Sequence, residues 1–256
     1  MLIVENGTRE FYDPMAEFYH LIFMDWEKSI DYHASVIDDI FKNRGKPKTV
    51  SILDCACGIG TQALGLAQLG YNVSGSDISE SEITRAKLEA AKRDLNIDFR
   101  IADFCALDSC FENCFDVIIA MDNALPHLLY SEDLKSACKS IYAQTTNSGV
   151  FIASIRNYDE LLISKPSSTS PSVIPTPAGK RIVFQLWQWQ EDIYDLTQYI
   201  IEDENGKIET HKFDGTYRAL TRKELTAALL TAGFHDVNWI FPQESRFYQP
   251  IVVAKK

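Results

Sequence analysis

The stretch Val50-Ser51-Ile52-Leu53-Asp54-Cys55-Ala56-Cys57-Gly58-Ile59-Gly60-Thr61 runs from an apolar strand into a carboxylate and then into a turn of small, glycine-bearing residues. Such a turn lets a ligand approach the backbone closely. A helix follows, with Ala63, Leu64, Leu66, Ala67 and Leu69 at helical spacing. About one strand further on, Tyr71-Asn72-Val73-Ser74-Gly75-Ser76-Asp77 ends in a second carboxylate. A carboxylate at that strand tip can accept both vicinal hydroxyls of a ribose. The stretch therefore predicts a nucleoside pocket on a strand-turn-helix unit.

Two ligand classes use such a pocket. Gly58-Ile59-Gly60-Thr61-Gln62-Ala63 fits the dinucleotide fingerprint G-x-G-x-x-A, with Asp77 near the expected acidic position. A dinucleotide sets its pyrophosphate over the turn and the helix N-terminus, where negative charge is favoured. Asp54 would put a carboxylate at the mouth of the same turn, and like charges repel. A ligand with a cationic end fits better. S-adenosylmethionine, which joins an ammonium and a sulfonium to adenosine, is the expected cofactor, with a nicotinamide dinucleotide as the competing reading.

The segment resembles motif I of the Rossmann-like, class I S-adenosylmethionine-dependent methyltransferases. Asp54, Gly58 and Gly60 match the family pattern, and Ala56 stands where glycine is usual. Phe99-Arg100-Ile101-Ala102-Asp103-Phe104 resembles the motif after the third strand, which implies that Asp103 receives the adenine amino group and Phe104 lies near the ring. Phe115-Asp116-Val117-Ile118-Ile119-Ala120-Met121-Asp122-Asn123 resembles the fourth strand, whose carboxyl end faces the reacting methyl group. The resemblance runs from about Lys48 to Lys256. It implies an α/β fold, a doubly wound, mostly parallel seven-stranded sheet with a reversed C-terminal edge hairpin. The cofactor-binding set it implies is Tyr19, Asp54, Ala56, Gly58, Gly60, Asp77, Ile78, Asp103, Phe104 and Met121.

A chain of 256 residues can bury a full core as one enlarged domain. A formal net charge of −11 disfavours an extended phosphate backbone as partner, because such contacts need clustered Lys and Arg. Cys55, Cys57, Cys105, Cys110, Cys114 and Cys138 lack the paired spacing of a zinc site, so no metal is expected. Met1-Leu2-Ile3-Val4-Glu5-Asn6 carries no basic region leading into an apolar run, and no segment reaches the roughly 20 apolar residues that cross a bilayer. A cytoplasmic protein with reduced thiols and no membrane partner is the expectation.

Along the chain, Pro14 to about Phe41 reads as one or two helices, with Phe18, Leu21, Ile22, Ile30, Ile37 and Ile40 at helical spacing. Strands and helices then alternate: a helix from about Glu80 to Leu95, strands near Ile97–Ile101 and Val117–Met121, a helix near Glu132–Tyr142 and a strand at Gly149–Ile155. This alternation predicts a mostly parallel sheet covered on both faces. Ser164-Lys165-Pro166-Ser167-Ser168-Thr169-Ser170-Pro171-Ser172 reads as a loop. Beyond it Arg181–Gln190, Asp192–Ile201 and Lys207–Phe213 are rich in β-branched and aromatic residues, with Asn205-Gly206 as a hairpin turn. They predict a small antiparallel β insertion, either a hydrophobic platform or dimer surface, or a substrate lid. Thr221-Arg222-Lys223-Glu224 predicts a capping box opening a helix to Gly233, and strands at Val237–Phe241 and Tyr248–Ala254 follow. The expected organisation is a single methyltransferase domain over 1–256, with a helical cap at 1–46 and the insertion at 164–219.

Ligands of open α/β sheets bind beyond the carboxyl ends of the strands, which directs attention to Asp122-Asn123-Ala124-Leu125-Pro126-His127 and Ser154-Ile155-Arg156-Asn157-Tyr158-Asp159. The first resembles the Asn-x-x-x-His-Leu segment of glycine N-methyltransferases, and the second their Arg-Asn-Tyr-Asp segment. The resemblance implies that Asn123 contacts the substrate and that Arg156 holds the carboxylate of a small amino acid. A planar guanidinium suits a carboxylate through two parallel hydrogen bonds; a structural ion pair of Arg156 with Asp159 is the alternative. His127 is a candidate proton acceptor or a packed histidine. Tyr12, Tyr19, His20 and Trp26 offer aromatic faces to a sulfonium by cation–π attraction, with Tyr19 preferred, and Tyr217 and Tyr248 are further lining candidates. The expected acceptor is a carboxylate-bearing amine, glycine or sarcosine, with small-molecule O-methylation or donor binding without turnover as alternatives. Homo-oligomerisation is left open.

Overall fold

Strands that carry Ile, Leu and Val without alternation have no face to offer water, so they must lie in the middle of a sheet covered on both sides. The computed structural model describes residues 7–256, and the reading of Met1 to Asn6 lies outside the described residues. The first part of the chain forms α1 (Gly7–Met15), a 3₁₀ turn at Tyr19–Ile22, and α2 (Trp26–Asn43). Strands and helices alternate next: β1 (Ser51–Asp54), α3 (Thr61–Gln68), β2 (Asn72–Asp77), α4 (Glu80–Lys92), β3 (Asp98–Ile101), β4 (Phe115–Ala120), α5 (Ser131–Gln144) and β5 (Thr145–Ser154). After the short α6 (Tyr158–Ser164) come β6 (Ser172–Thr176), β7 (Gly179–Gln190), β8 (Ile193–Glu204) and β9 (Lys207–Arg218). The chain ends with α7 (Arg222–Ala232), β10 (His235–Ile240), α8 (Pro242–Ser245) and β11 (Ile251–Lys255).

The main sheet has seven strands in the order β10-β11-β5-β4-β1-β2-β3. β1 to β5 run parallel, whereas β11 pairs antiparallel with both β5 and β10. The expected doubly wound sheet with its reversed edge hairpin is therefore present. Successive strand residues feed opposite cores. Ile52, Val117, Ile119, Ile152 and Val253 pack with Ile30, Ile37 and Phe41 of α2 and Leu64 of α3. Leu53, Ile118, Phe151 and Val252 pack with Leu134 and Ile141 of α5, Leu225 and Leu229 of α7, and Leu196 and Ile200 of β8. Both cores meet at the sheet, and the loops at the carboxyl ends of β1, β2, β4 and β5 open on one edge.

Four strands, β6-β7-β8-β9, form the second, antiparallel sheet. Three were expected. The prolines and serines before Pro175 read as loop, but β6 is an edge strand, where a residue lacking an N–H is tolerated. Asn205 and Gly206 turn the β8–β9 hairpin with φ of 51° and 77°, as the Asn-Gly signal predicts. The N-terminal helices also differ from expectation. Pro14 lies inside α1, one residue from its end, rather than opening a helix. Thr221 and Glu224 form the predicted reciprocal cap of α7. Among the described residues no helix is long and apolar enough to cross a membrane.

Candidate active site

The turn after β1 is built around two left-handed glycines, Gly58 at φ 52° and Gly60 at φ 97°, a conformation that costs an L side chain about 1–2 kcal/mol. Cys57 N–H donates to the Ser76 carbonyl at 2.9 Å and Gly58 N–H to Asp77 Oδ2 at 2.9 Å, which ties the turn to the tip of β2. Asp77 Oδ1 accepts the Ser79 N–H at 3.0 Å. Each oxygen keeps a second lone pair for a ligand. Trp26 does not reach the ligand side: its indole N–H donates to Thr61 Oγ1 at 2.9 Å and braces the first turn of α3 from behind. His20 likewise lies outside the cavities described below.

A cavity of about 490 Å³ opens over this turn, within the range of small-ligand sites. Tyr19, Ala56, Gly58, Asp77, Ile78, Asp103, Phe104 and Met121, all anticipated from the sequence, line it. Asp54 and Gly60 do not. Asp54 is fully buried beneath the turn rather than at its mouth, and neither oxygen closes a hydrogen bond of good geometry. Burial pushes its pKa well up, opposed by the Ala56 amide and reinforced by Asp77 and Asp122. Gly60 shapes the entry to α3 instead, as its left-handed cap.

Glu82 is a wall residue that sequence reasoning missed. It sits in the first turn of α4, is 0% exposed, and neither carboxylate oxygen closes a hydrogen bond of good geometry, although the Ile59 amide faces it. Burial, then Asp77 and Asp13, push its pKa well up. Burial raises Asp77 as well, against the Ser79 and Gly58 amides. Asp77 and Glu82 thus put carboxylate groups into the wall of this cavity, with Asp54 buried beneath its turn, which suits a cationic ligand and disfavours a pyrophosphate. The residues fit S-adenosylmethionine: Asp77 at its strand tip would hold the ribose, Asp103 and Phe104 would meet the adenine, and the acidic wall would face the charged end.

A second cavity of about 260 Å³ adjoins the first, sharing Tyr12, Tyr19 and Asp122 with it. Asn123, Arg156, Gln185, Gln198, Tyr217 and Tyr248 line its remainder. Arg156 is partly buried, with Nη1 donating to the Tyr194 hydroxyl at 2.8 Å and Nη2 to Gln185 Oε1 at 3.0 Å. Its guanidinium lies 4.8 Å from the centre of the Trp187 ring. Asp159, the ion-pair alternative, goes to Arg222 at 3.3 Å instead. Among the described residues no carboxylate comes within 4.0 Å of the Arg156 guanidinium.

Asn123 is buried, with φ 71°, and its Oδ1 accepts the Arg156 N–H at 3.0 Å. Its Nδ2 faces the Tyr158 hydroxyl without closing a hydrogen bond of good geometry. His127 lines the larger cavity, not the smaller one. Its Nε2 lies 3.0 Å from the Tyr12 hydroxyl and its ring 4.0 Å from that of Tyr217. Enclosure and the neighbouring Arg156 push its pKa down to about 3, against the pull of the Thr216 backbone. It brackets the Tyr12 hydroxyl as a neutral imidazole. Gln185, Gln198 and Tyr194 come from the second sheet, and no local motif in that stretch marks them.

Glycine turn, acidic strand tips, sheet order and adjoining cavities together form a Rossmann-like arrangement whose residues fit S-adenosylmethionine. Residues 52–149 match the family model described as a methyltransferase domain. A glycine/sarcosine N-methyltransferase of Parasynechococcus marenigrum (strain WH8102) is 30% identical over 143 residues, 54% of this chain and 50% of that protein. The match spans about half the length of that curated relative. In fold, the chain is similar to an S-adenosylmethionine-dependent methyltransferase from Clostridium acetobutylicum ATCC 824, with TM-score 0.74 and 17% identity over 95% of this chain and 98% of that one. It is also similar to the amino pentose methyltransferase CalS10 from Micromonospora echinaspora, with TM-score 0.71 and 16% identity over 88% and 91% of the two chains.

Proposed function

We propose that this protein transfers a methyl group from S-adenosylmethionine to the nitrogen of a small amino acid, glycine or sarcosine. The observation that carries the reading is Arg156: a guanidinium held by neutral partners, Tyr194 and Gln185, in a cavity of about 260 Å³ beside the donor cavity. A positive charge enclosed without an anion invites one from the ligand. A carboxylate is its best geometric match.

When bound, S-adenosylmethionine supplies a methyl group on a sulfonium, already a good leaving group. The chain's own residues have three tasks. Arg156 fixes the acceptor carboxylate; Asn123, whose Oδ1 accepts the Arg156 N–H, holds the loop that presents the guanidinium; Tyr12 and Tyr19 wall the passage between the cavities and exclude water. Alignment of this kind, with reacting atoms about 3–3.5 Å apart, supplies most of the rate in such displacements. The neutral amine attacks the methyl carbon, the sulfur–carbon pair leaves with sulfur, and the extra proton on nitrogen passes to solvent.

The test is S-adenosylhomocysteine release by the purified protein with and without glycine or sarcosine. Release that depends on the amino acid, with the Michaelis constant for glycine raised in Arg156→Ala by roughly 10- to 100-fold and that for the donor little changed, supports the reading. Equal losses for both substrates, or release only with an amino sugar or a phenol, would replace it.

A further inference from the structure

The smaller cavity also contains a negative charge that the carboxylate-holding role of Arg156 does not use. Asp122 follows β4 at φ 57° and lines both cavities. Its Oδ2 accepts from Gln62 Nε2 at 2.7 Å, its Oδ1 accepts from the Tyr248 hydroxyl, and its N–H is anchored on Ser154 Oγ at 2.8 Å. The ring of Tyr248 is 57% exposed, but its hydroxyl reaches down to this carboxylate. The nearest titratable base is His33, with Nδ1 3.6 Å from Oδ2. Burial lowers the His33 pKa, and the same nitrogen lies 3.1 Å from Gln62 Nε2, so the imidazole does not cancel the charge. Among the described residues, no Lys or Arg lies within 4.0 Å of Asp122.

Arg156 and Asp122 are therefore two opposite charges on the wall of one small cavity that do not discharge each other. Neutral groups hold them apart: Tyr194 and Gln185 take the guanidinium, Gln62 and Tyr248 take the carboxylate. Left to themselves, opposite charges in an enclosed site close on each other, so the separation leaves room for a ligand with the complementary pair. Asp122 lies two residues past β4 and Arg156 two residues past β5, which are adjacent parallel strands, and Asn123 Oδ1 accepts the Arg156 N–H and ties the two loops together. An α-amino acid, which carries a carboxylate and an ammonium on one small framework, is the complement of this pair.

Resting on the proposed amino acid acceptor, we infer that Asp122 is the residue that binds the acceptor's amine end, making the smaller cavity a receptor for an α-amino acid zwitterion with Arg156 at one pole and Asp122 at the other. The neighbouring cavity gives Asp122 a competing use, the α-ammonium of the methyl donor. S-adenosylhomocysteine keeps that ammonium and lacks only the methyl group, so it separates the two uses.

The experiment measures glycine and acetate binding by calorimetry to the complex of the full chain with S-adenosylhomocysteine. Wild type binds glycine about tenfold more tightly than acetate, the difference being the amine contact. In Asp122→Asn, which keeps a residue that tolerates the left-handed backbone, glycine affinity falls to that of acetate, and S-adenosylhomocysteine affinity changes less than about twofold. Retained nucleoside binding also establishes that the variant is folded. Equal binding of glycine and acetate by wild type overturns the inference without recourse to any variant, even where glycine is methylated. A variant that loses S-adenosylhomocysteine more than glycine assigns Asp122 to the donor and overturns it too. Wild type that neither binds nor methylates glycine or sarcosine overturns the amino acid reading and this inference together.

Discussion

At the residue scale the donor cavity depends on carboxylates kept where water does not reach. Glu82 has no exposed surface and closes no hydrogen bond of good geometry, and its pKa is raised by burial and by Asp77 against the pull of the Ile59 amide. A group whose folded pKa is raised above its unfolded value contributes stability at acid pH that is lost as the pH rises through the folded value. Glu82→Gln, which is neutral at every pH, should therefore leave the melting temperature of the ligand-free protein nearly unchanged below the ordinary glutamate value of 4.5. The variant should become progressively the more stable protein as the pH rises above that value, until the folded carboxyl ionises. Melting curves from about pH 4 to 9 check this, and a constant difference across that range refutes a strained Glu82 carboxylate. Asp77→Ala acts differently, because that side chain already accepts two backbone N–H groups and would also hold the ribose. Its loss should weaken S-adenosylhomocysteine binding by roughly 10- to 100-fold, as calorimetry would detect. Asp77 was legible because it ends a strand after a glycine turn. Glu82 was not, since a glutamate in the first turn of a helix reads as a solvated partner of the helix dipole.

At the element scale, the unit β1-turn-α3-β2-α4 works only if its turn stays left-handed. A Cβ built on Gly58 would lie 2.7 Å from Glu82 Oε2, at φ 52°. Gly58→Ala thus combines backbone strain of about 1–2 kcal/mol with a collision against a buried side chain. Glu82→Ala in the same chain removes the collision and leaves the strain. The double variant is expected to recover part of the stability and donor affinity lost by Gly58→Ala, and a double-mutant cycle with no coupling would contradict the packing of α4 against the turn. Alternation of apolar strands and amphipathic helices made this unit, the Asn205-Gly206 hairpin and the Thr221 cap readable in advance. Elements that depend on distant partners were harder to read. β6 carries Pro175 and exists because β7 offers it an edge, and α6 begins at Tyr158 within the polar stretch Ser154–Asp159, which predicted no helix. The smaller cavity suffered most, since Gln185 and Tyr194 reach Arg156 only through the pairing of β7 with β8.

At the scale of the molecule, the second sheet is coupled to the donor cavity through α1. Phe11 is 3% exposed, and its ring lies against Gly215 of β9, where a Cβ would come within 2.9 Å of it. One residue on, Tyr12 enters both cavities and meets His127 at 3.0 Å and the Tyr217 hydroxyl at 3.3 Å. β9 therefore sets the height of α1, and α1 sets where the phenol of Tyr12 stands. Overpacking a full core costs about 1–3 kcal/mol when neighbours must move. Gly215→Ala should push Phe11 outward, shift Tyr12 and lower both S-adenosylhomocysteine affinity and glycine affinity, although residue 215 lines neither cavity. Phe11→Leu in the same chain gives the new methyl group room, and part of both affinities should return. Calorimetry on the single and double variants tests the linkage. If Gly215→Ala lowers the melting temperature while both affinities stay at wild-type values, the second sheet supports α1 without positioning Tyr12. If both affinities fall and Phe11→Leu restores them, the antiparallel sheet is part of the binding machinery although most of its strands lie outside the donor cavity.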